Sequence, residues 1–230
     1  MAELKVLSAG AVKSGVAQMA DEYAREHGDT VEVEFATAPE IRRRMSAAEE
    51  ADVVVAPPAV MDELAKAGKV VAGSRAFLGR SRVGIVVHAQ VTCEAPDVES
   101  FKRALAAATA VVYNKASSGA YVAKLLQDLG LAQALESRIT VVDSGAAVME
   151  YVAEQAPGAI GLAQISEIRV LMAKGLPIRF AGPLPDAVQN VTRYEAAAVA
   201  GRGEIAKASA LASYMTTPAA KKVFAATGID

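Results

Sequence analysis

With 230 residues, 53% of them hydrophobic, the chain is long enough to bury a large core, as one domain or as two small lobes. Its 24 Lys and Arg nearly balance 26 Asp and Glu, so no overall field argues for nucleic acid or an anionic membrane surface, and specificity for an anion has to be local. Cys93 is the single cysteine, which excludes an internal disulfide; no apolar run reaches about 18 residues, so no membrane insertion is expected. The opening MAELKVLSAG has neither a basic leader nor a long apolar segment; as it stands the chain reads as cytoplasmic, and as periplasmic if a leader precedes it.

Short β-rich runs alternate with amphipathic stretches. Strands are expected at Lys5–Leu7, Val31–Phe35 and Asp52–Val55, with helices at Ser14–Glu26, Glu40–Ala47 and Val60–Ala67. A second series follows: strands at Val83–Val87, Ala110–Tyr113, Ile139–Val142 and Ala159–Ala163, and helices at Val98–Ala107, Gly119–Leu129 and Ala146–Ala153. A strand at Val191–Val199 and helices at Glu204–Ala212 and Pro218–Ala226 close the chain. This alternation predicts an α/β fold with largely parallel pairing, as two Rossmann-like lobes with mixed sheets joined by two crossover segments. Lobe 1 is expected from 1–80 plus 190–230 and lobe 2 from 84–180, with hinge crossovers at 79–90 and 176–190.

In such sheets ligands collect where loops leave the carboxyl ends of strands. Those loops are Ser8–Lys13, Thr37–Pro39, Ala56–Pro58, Asn114–Gly119, Asp143–Gly145 and Gln164–Glu167, mostly small or hydroxylic and just before a helix. Taken singly, Thr37, Ser118 and Ser144 are ordinary helix N-caps, and Pro39 and Pro58 suit a first helical turn. Their convergence points to a site that meets a small anion with backbone N–H groups and the positive ends of helices.

Five stretches in this order and spacing, VLSAGAVKSGVAQMADEYAREHG, VEVEFATAPEIRRRM followed by ADVVVAPPAVMDELAKAGKV, YNKASSGAYVAKLLQDLGL, GAIGLAQISEI and MTTPAAKKVFAATGI, resemble the type II periplasmic solute-binding proteins. Within that superfamily the chain is similar to the molybdate-binding receptors of ABC transporters, over essentially its whole length. The resemblance implies two lobes that close on a ligand like a hinged trap, usually as a monomer, with an ABC transporter permease as partner if the protein is exported. With the loops read above and the cations that could serve there, ligand-binding positions are expected at Gly10, Ala11, Lys13, Thr37, Ala38, Arg42, Tyr113, Ser117, Ser118, Gly119, Ser144 and Gln164.

At those positions the chain departs from the molybdate receptors. Their first serine falls on Ala11, a second falls in Thr37–Pro39, and a tyrosine that caps the oxyanion falls on Gln164. A site built to hydrogen-bond an oxyanion loses about 1–3 kcal/mol for each buried acceptor left unpaired, which turns the expectation from molybdate or tungstate toward an organic di- or tricarboxylate. Cations that would then serve are Lys13, one of Arg42, Arg43 and Arg44, Arg82, His88 and Lys115.

GLAQISEI and GPLPDAVQN further resemble a branch that includes aconitate isomerase, an alternative in which the protein moves a proton on a tricarboxylate. Lys13, His88, Tyr113, Lys115 and Glu167 are the candidates for such a step, although Glu167 is also the common helix-start carboxylate. A molybdate or tungstate receptor with an altered site, and a sensor that binds without chemistry, are further readings. No metal and no cofactor are expected. The two histidines and one cysteine lie far apart, and neither a Walker loop, a dinucleotide fingerprint nor a Gly-x-Ser-x-Gly elbow occurs.

Overall fold

A computed structural model describes residues 3–47, 50–155 and 157–230. The chain divides into two compact units, one from Met1–Arg80 with Arg193–Asp230 and one from Ser81–Thr192.

The first unit opens with β1 (Glu3–Ala9), α1 (Lys13–His27), β2 (Thr30–Ala36), α2 (Ala38–Ser46), β3 (Val53–Ala56) and α3 (Pro58–Lys66). β1 lies between β2 and β3, parallel to both. The side chains explain this order. All four residues of β3, Val53–Ala56, are buried, as a strand covered on both faces requires, whereas β2 alternates exposed glutamates with partly buried Val31, Val33 and Phe35, as an edge strand does. α1 presents Val16, Met19 and Tyr23 to the core, and Gly15 lets the Phe224 ring lie against the helix backbone.

β4 (Ala76–His88) then carries the chain from the first unit into the second. The second unit continues with α4 (Val98–Ala107), β5 (Ala110–Asn114), α5 (Ser117–Asp128), the short α6 (Ala132–Leu135), β6 (Ile139–Val142), α7 (Gly145–Glu154), β7 (Ala159–Gln164), α8 (Ile165–Ala173) and β8 (Ile178–Pro183). β5 runs parallel to β6 and β7, while β4 runs antiparallel to β7 and β8. Period-two alternation sends Val83, Ile85, Val87, Val111, Tyr113, Ile160 and Leu162 to one face, against Phe101, Leu105, Val122 and Leu126. The other face carries Val86, Val112 and Ala163 against Val148, Met149, Val152 and Ile168. Both faces are therefore covered, which is the doubly wound arrangement that leaves ligand loops at a strand edge.

The segment 176–190, expected as a plain returning crossover, builds part of this sheet: β8 pairs with β4, and a single 3-10 turn follows at Asp186–Val188. β9 (Val191–Ala198) returns the chain to the first unit antiparallel to β3, followed by α9 (Ile205–Tyr214) and α10 (Pro218–Ala226). The chain end is fastened to β4: Arg80 N–H donates to the Asp230 carbonyl at 2.5 Å, and Asp230 N–H donates back at 2.9 Å. No helix among the described residues is long and apolar enough to cross a membrane.

Candidate functional site

Parallel pairing places the carboxyl ends of β1, β2 and β3 on one edge of the first unit, with Ala9 opposite Ala36 and Ser8 opposite Val55. The 3-10 turn Gly10–Val12 and the starts of α2 and α3 share that edge. Thr37 caps α2, accepting from Glu40 N–H at 3.4 Å, but neither Ala9 before the turn nor Pro57 before α3 supplies a side-chain cap. Gly10, Ala11 and Ala38 contribute no polar side chains to this rim, so an anion at those positions meets backbone N–H groups.

The cations expected to reinforce this edge have other partners. Arg42 donates to Glu63 at 2.6 Å, Arg43 to Glu40 at 2.6 Å and Arg44 to Glu34 at 2.5 Å. Arg42 and Arg44 thus tie α2 to α3 and β2 and Arg43 pairs within α2 itself, so each guanidinium expected as a possible ligand fork has a glutamate of its own unit as partner. Lys13 is exposed, with its ammonium 5.1 Å from the centre of the Phe35 ring.

In the second unit, β5, β6 and β7 end on one edge at Asn114, Val142 and Gln164. Asn114 is buried, and its Oδ1 accepts from Ala116 N–H at 2.9 Å and from Ser118 Oγ at 3.5 Å, which shapes the entry to α5. Ala116 gives α5 no side-chain cap. Ser118 is buried and turned to Asn114, whereas Ser117 is exposed at the mouth. Gly119 has a packing reason: a methyl there would run into the Asn114 carbonyl oxygen. Tyr113 is buried in the core beside them, and burial pushes its phenol up.

Ser144 is exposed and caps α7, accepting from Ala147 N–H at 3.2 Å. Lys115 and Asp143 form an exposed ion pair at 2.7 Å, so the lysine expected before the serines is matched by an aspartate, whose carboxyl it holds below the usual range. Gln164 begins α8 and is 3% exposed; its Nε2 donates to Thr192 Oγ1 at 3.4 Å while its Oε1 has no partner. Beneath the same turn the buried hydroxyls of Ser81 and Ser166 lie 3.4 Å apart.

Glu167 stands three residues into α8. Its carboxyl accepts from Gln164 N–H, the return half of a capping box, and lies against Gly145 in the first turn of α7, where a Cβ would displace it. Although part of the residue reaches solvent, burial pushes the carboxyl up to about 7, against the opposite pull of the Gln164 hydrogen bond. An acid of this kind holds or releases a proton near neutrality.

His88 belongs elsewhere. Val83 pairs with Gln164 and Val87 with Ile160, so antiparallel β4 places His88 at the edge opposite the helix mouths, a correction to its reading as a site residue. A groove of about 430 Å³ lined by Cys93, Ser100, Arg103 and Ile160 is likewise separate from the mouths, and burial raises the Cys93 thiol, which disfavours the reactive thiolate. Among the described residues no group of three His, Cys, Asp or Glu side chains is placed to hold a metal ion.

Sequence reasoning placed Gly145 only as the end of the Asp143–Gly145 loop, without a role of its own, and missed Thr192. A glycine directly after a serine cap, in DSGAA, was the available signal for the first; the Thr192 contact joins residues 28 apart and left none.

The chain and its fold have relatives. Residues 4–230 match the family model described as bacterial extracellular solute-binding protein. The chain belongs to that family. Among solved structures, this solute-binding protein superposes on the Azotobacter vinelandii periplasmic molybdate-binding protein with TM-score 0.81 at 20% identity, covering 99% of this chain and 98% of that one. It superposes on the sulfate-binding protein SubI from Mycobacterium tuberculosis with TM-score 0.79 at 16% identity, covering 100% and 86%. A Pseudomonas sp protein named aconitate isomerase is 28% identical over 239 residues, which is 98% of this solute-binding chain and 87% of that relative.

Proposed function

We propose that this solute-binding protein takes a small organic polycarboxylate, of the size and charge of aconitate or citrate, and holds its carboxylates on helix N-termini. The observation that carries this reading is the missing caps. The Gly10–Val12 turn and α3 in the first unit, and α5 and α8 in the second, begin at strand carboxyl ends without a side-chain cap hydrogen bond; α2 and α7 begin there capped by Thr37 and Ser144, and α9, which starts elsewhere, is also uncapped. Uncapped first turns cost stability unless something else meets their N–H groups, and an anion does so with about 0.3–1 kcal/mol of helix-dipole energy per end. The absence of hydroxyls at Ala11 and Gln164 supports a carboxylate over a tetrahedral oxyanion.

A second reading, proton transfer on such a polycarboxylate, is favoured by the likeness to the protein named aconitate isomerase and by the presence of Glu167 among the mouths. One experiment separates the two. In D2O, the protein is added to cis-aconitate, trans-aconitate, citrate, malate, succinate and molybdate, and proton spectra are followed with time. Line broadening of one carboxylate without new signals is the expected result for a receptor; exchange of a carbon-bound proton for deuterium, or a new isomer, would instead make it an enzyme. Broadening of no carboxylate would overturn both readings.

A further inference from the structure

Asn114 ends β5 directly before α5, and its side-chain amide is held in one orientation. Its Oδ1 accepts from Ala116 N–H at 2.9 Å and from Ser118 Oγ at 3.5 Å. The backbone donor settles which end of the amide is which, because an N–H2 group in that place would face another N–H. Nothing among the described residues accepts from the Nδ2 end. The residue is only 2% exposed, yet Gln164 Oε1 is the sole fully buried side-chain polar atom without a partner among the described residues; the Asn114 N–H2 is therefore the end that reaches the surface.

It does so at an open helix mouth. Ala116 supplies no cap, and the first intrahelical bond of α5 runs from Ala120 N–H to the Ala116 carbonyl, which leaves the N–H groups of Ser117, Ser118 and Gly119 without a partner in the helix. The amide oxygen stands 3.0 Å from where a Gly119 Cβ would lie, so the planar amide rests on that first turn and its N–H2 is held beside the unpaired N–H groups. Ser118, by contrast, spends its hydroxyl on Asn114.

We propose that Asn114 is a specificity-determining residue of the anion site. Its Nδ2 donates to an oxygen of a bound carboxylate whose charge rests on the first turn of α5. Ser118 is a positioning residue, which holds the amide and does not touch the anion. An amide locked by its own oxygen presents a donor and nothing else, so this mouth takes a group with a free lone pair and rejects one that offers N–H or O–H there.

The proposal deepens the polycarboxylate reading and rests on it only for the first of its two probes, trans-aconitate and molybdate. Asn114→Asp keeps the oxygen that accepts from Ala116 N–H and replaces the N–H2 with a second oxygen of similar size. Calorimetric affinities of wild type and variant are compared as a ratio from pH 5.5 to pH 7.5, so that titration of the probe and of Glu167 cancels. At pH 7.5 the variant is expected to bind about a hundredfold more weakly, as a like charge replaces a donor. Its midpoint in urea is expected to be no lower than that of wild type, because a carboxylate suits a helix N-terminus. Falling pH is expected to recover the loss by about tenfold per unit, since the protonated acid regains an O–H donor. A merely structural role predicts a lower midpoint and a ratio that ignores pH.

The new charge alone would also repel an anion, so donation is read in wild type. In 15N–1H spectra one proton of the Asn114 side-chain N–H2 pair is expected to move downfield as the probe is added, while the other stays. A ratio near one, a loss that falling pH does not recover, or side-chain protons that stay in place while a probe binds overturns the proposal; binding of trans-aconitate in any of these cases leaves the polycarboxylate reading standing. If molybdate alone binds, with the expected proton shift and the expected loss in the variant, the polycarboxylate reading fails and the role of Asn114 stands. If wild type binds neither probe, both are overturned.

Discussion

Gly119 shows how a residue read as a ligand contact serves the fold at the same time. Its Cα lies so close to the Asn114 carbonyl oxygen that α5 starts where it does only because no side chain intervenes. The obstacle is backbone, which cannot swing away as a side chain can. Gly119→Ala is therefore expected to destabilise the protein by about 1–3 kcal/mol, the usual cost of overpacking, read as a lower midpoint in urea. An unchanged midpoint would mean that α5 slides freely on β5. Glu167 makes the complementary point: its neighbour Gly145 is equally close, but the obstacle there is the end of a flexible side chain, so the same substitution moves a carboxyl rather than a helix.

Among the elements, helix starts divide by what satisfies them. α4 carries a complete local solution, Asp97 with Ser100, and α10 a single cap, Thr217 accepting from Ala220 N–H, whereas α5 and α8 have no side-chain cap. α7 stands between, capped by an exposed Ser144. Asp97→Ala and Ser144→Ala are each expected to cost about 1 kcal/mol of stability by thermal or chemical denaturation. Only Ser144→Ala is expected to lower anion affinity as well, because its hydroxyl lies at the edge where β5, β6 and β7 end. Equal effects of the two variants on binding would place the anion away from α7. The arginines of α2 give the same lesson in charge: one of the three was expected to reach the ligand, but each is paired with a glutamate of its own unit.

For the whole molecule, sheet direction decides which residues are able to share a site. In the second unit β4 runs against β7, so the strand that brings Val83 beside Gln164 takes His88 to the far edge. His88→Gln is accordingly expected to leave anion affinity and its pH dependence unchanged in calorimetry, and a loss of either would locate the anion at that edge.

The sequence by itself determined the α/β alternation and most of its elements, though not α8 and β8, because burial periodicity is local: VVV in β3 has no polar face to offer, and the glutamates of β2 alternate with apolar residues. It also marked the helix mouths, since small residues before amphipathic runs are a local signal, as in SAGAV and KASSG. Membership of the solute-binding family followed from the same ordered motifs. What only the tertiary structure decided was the state of each charged or polar group. The partners of Arg42 and Lys115 lie 21 and 28 residues away, the exile of His88 depends on an antiparallel pairing, and the raised carboxyl of Glu167 depends on burial beneath a helix 22 residues earlier. Electrostatics and desolvation act through space between residues distant in the chain, and periodicity along the chain carries no record of them.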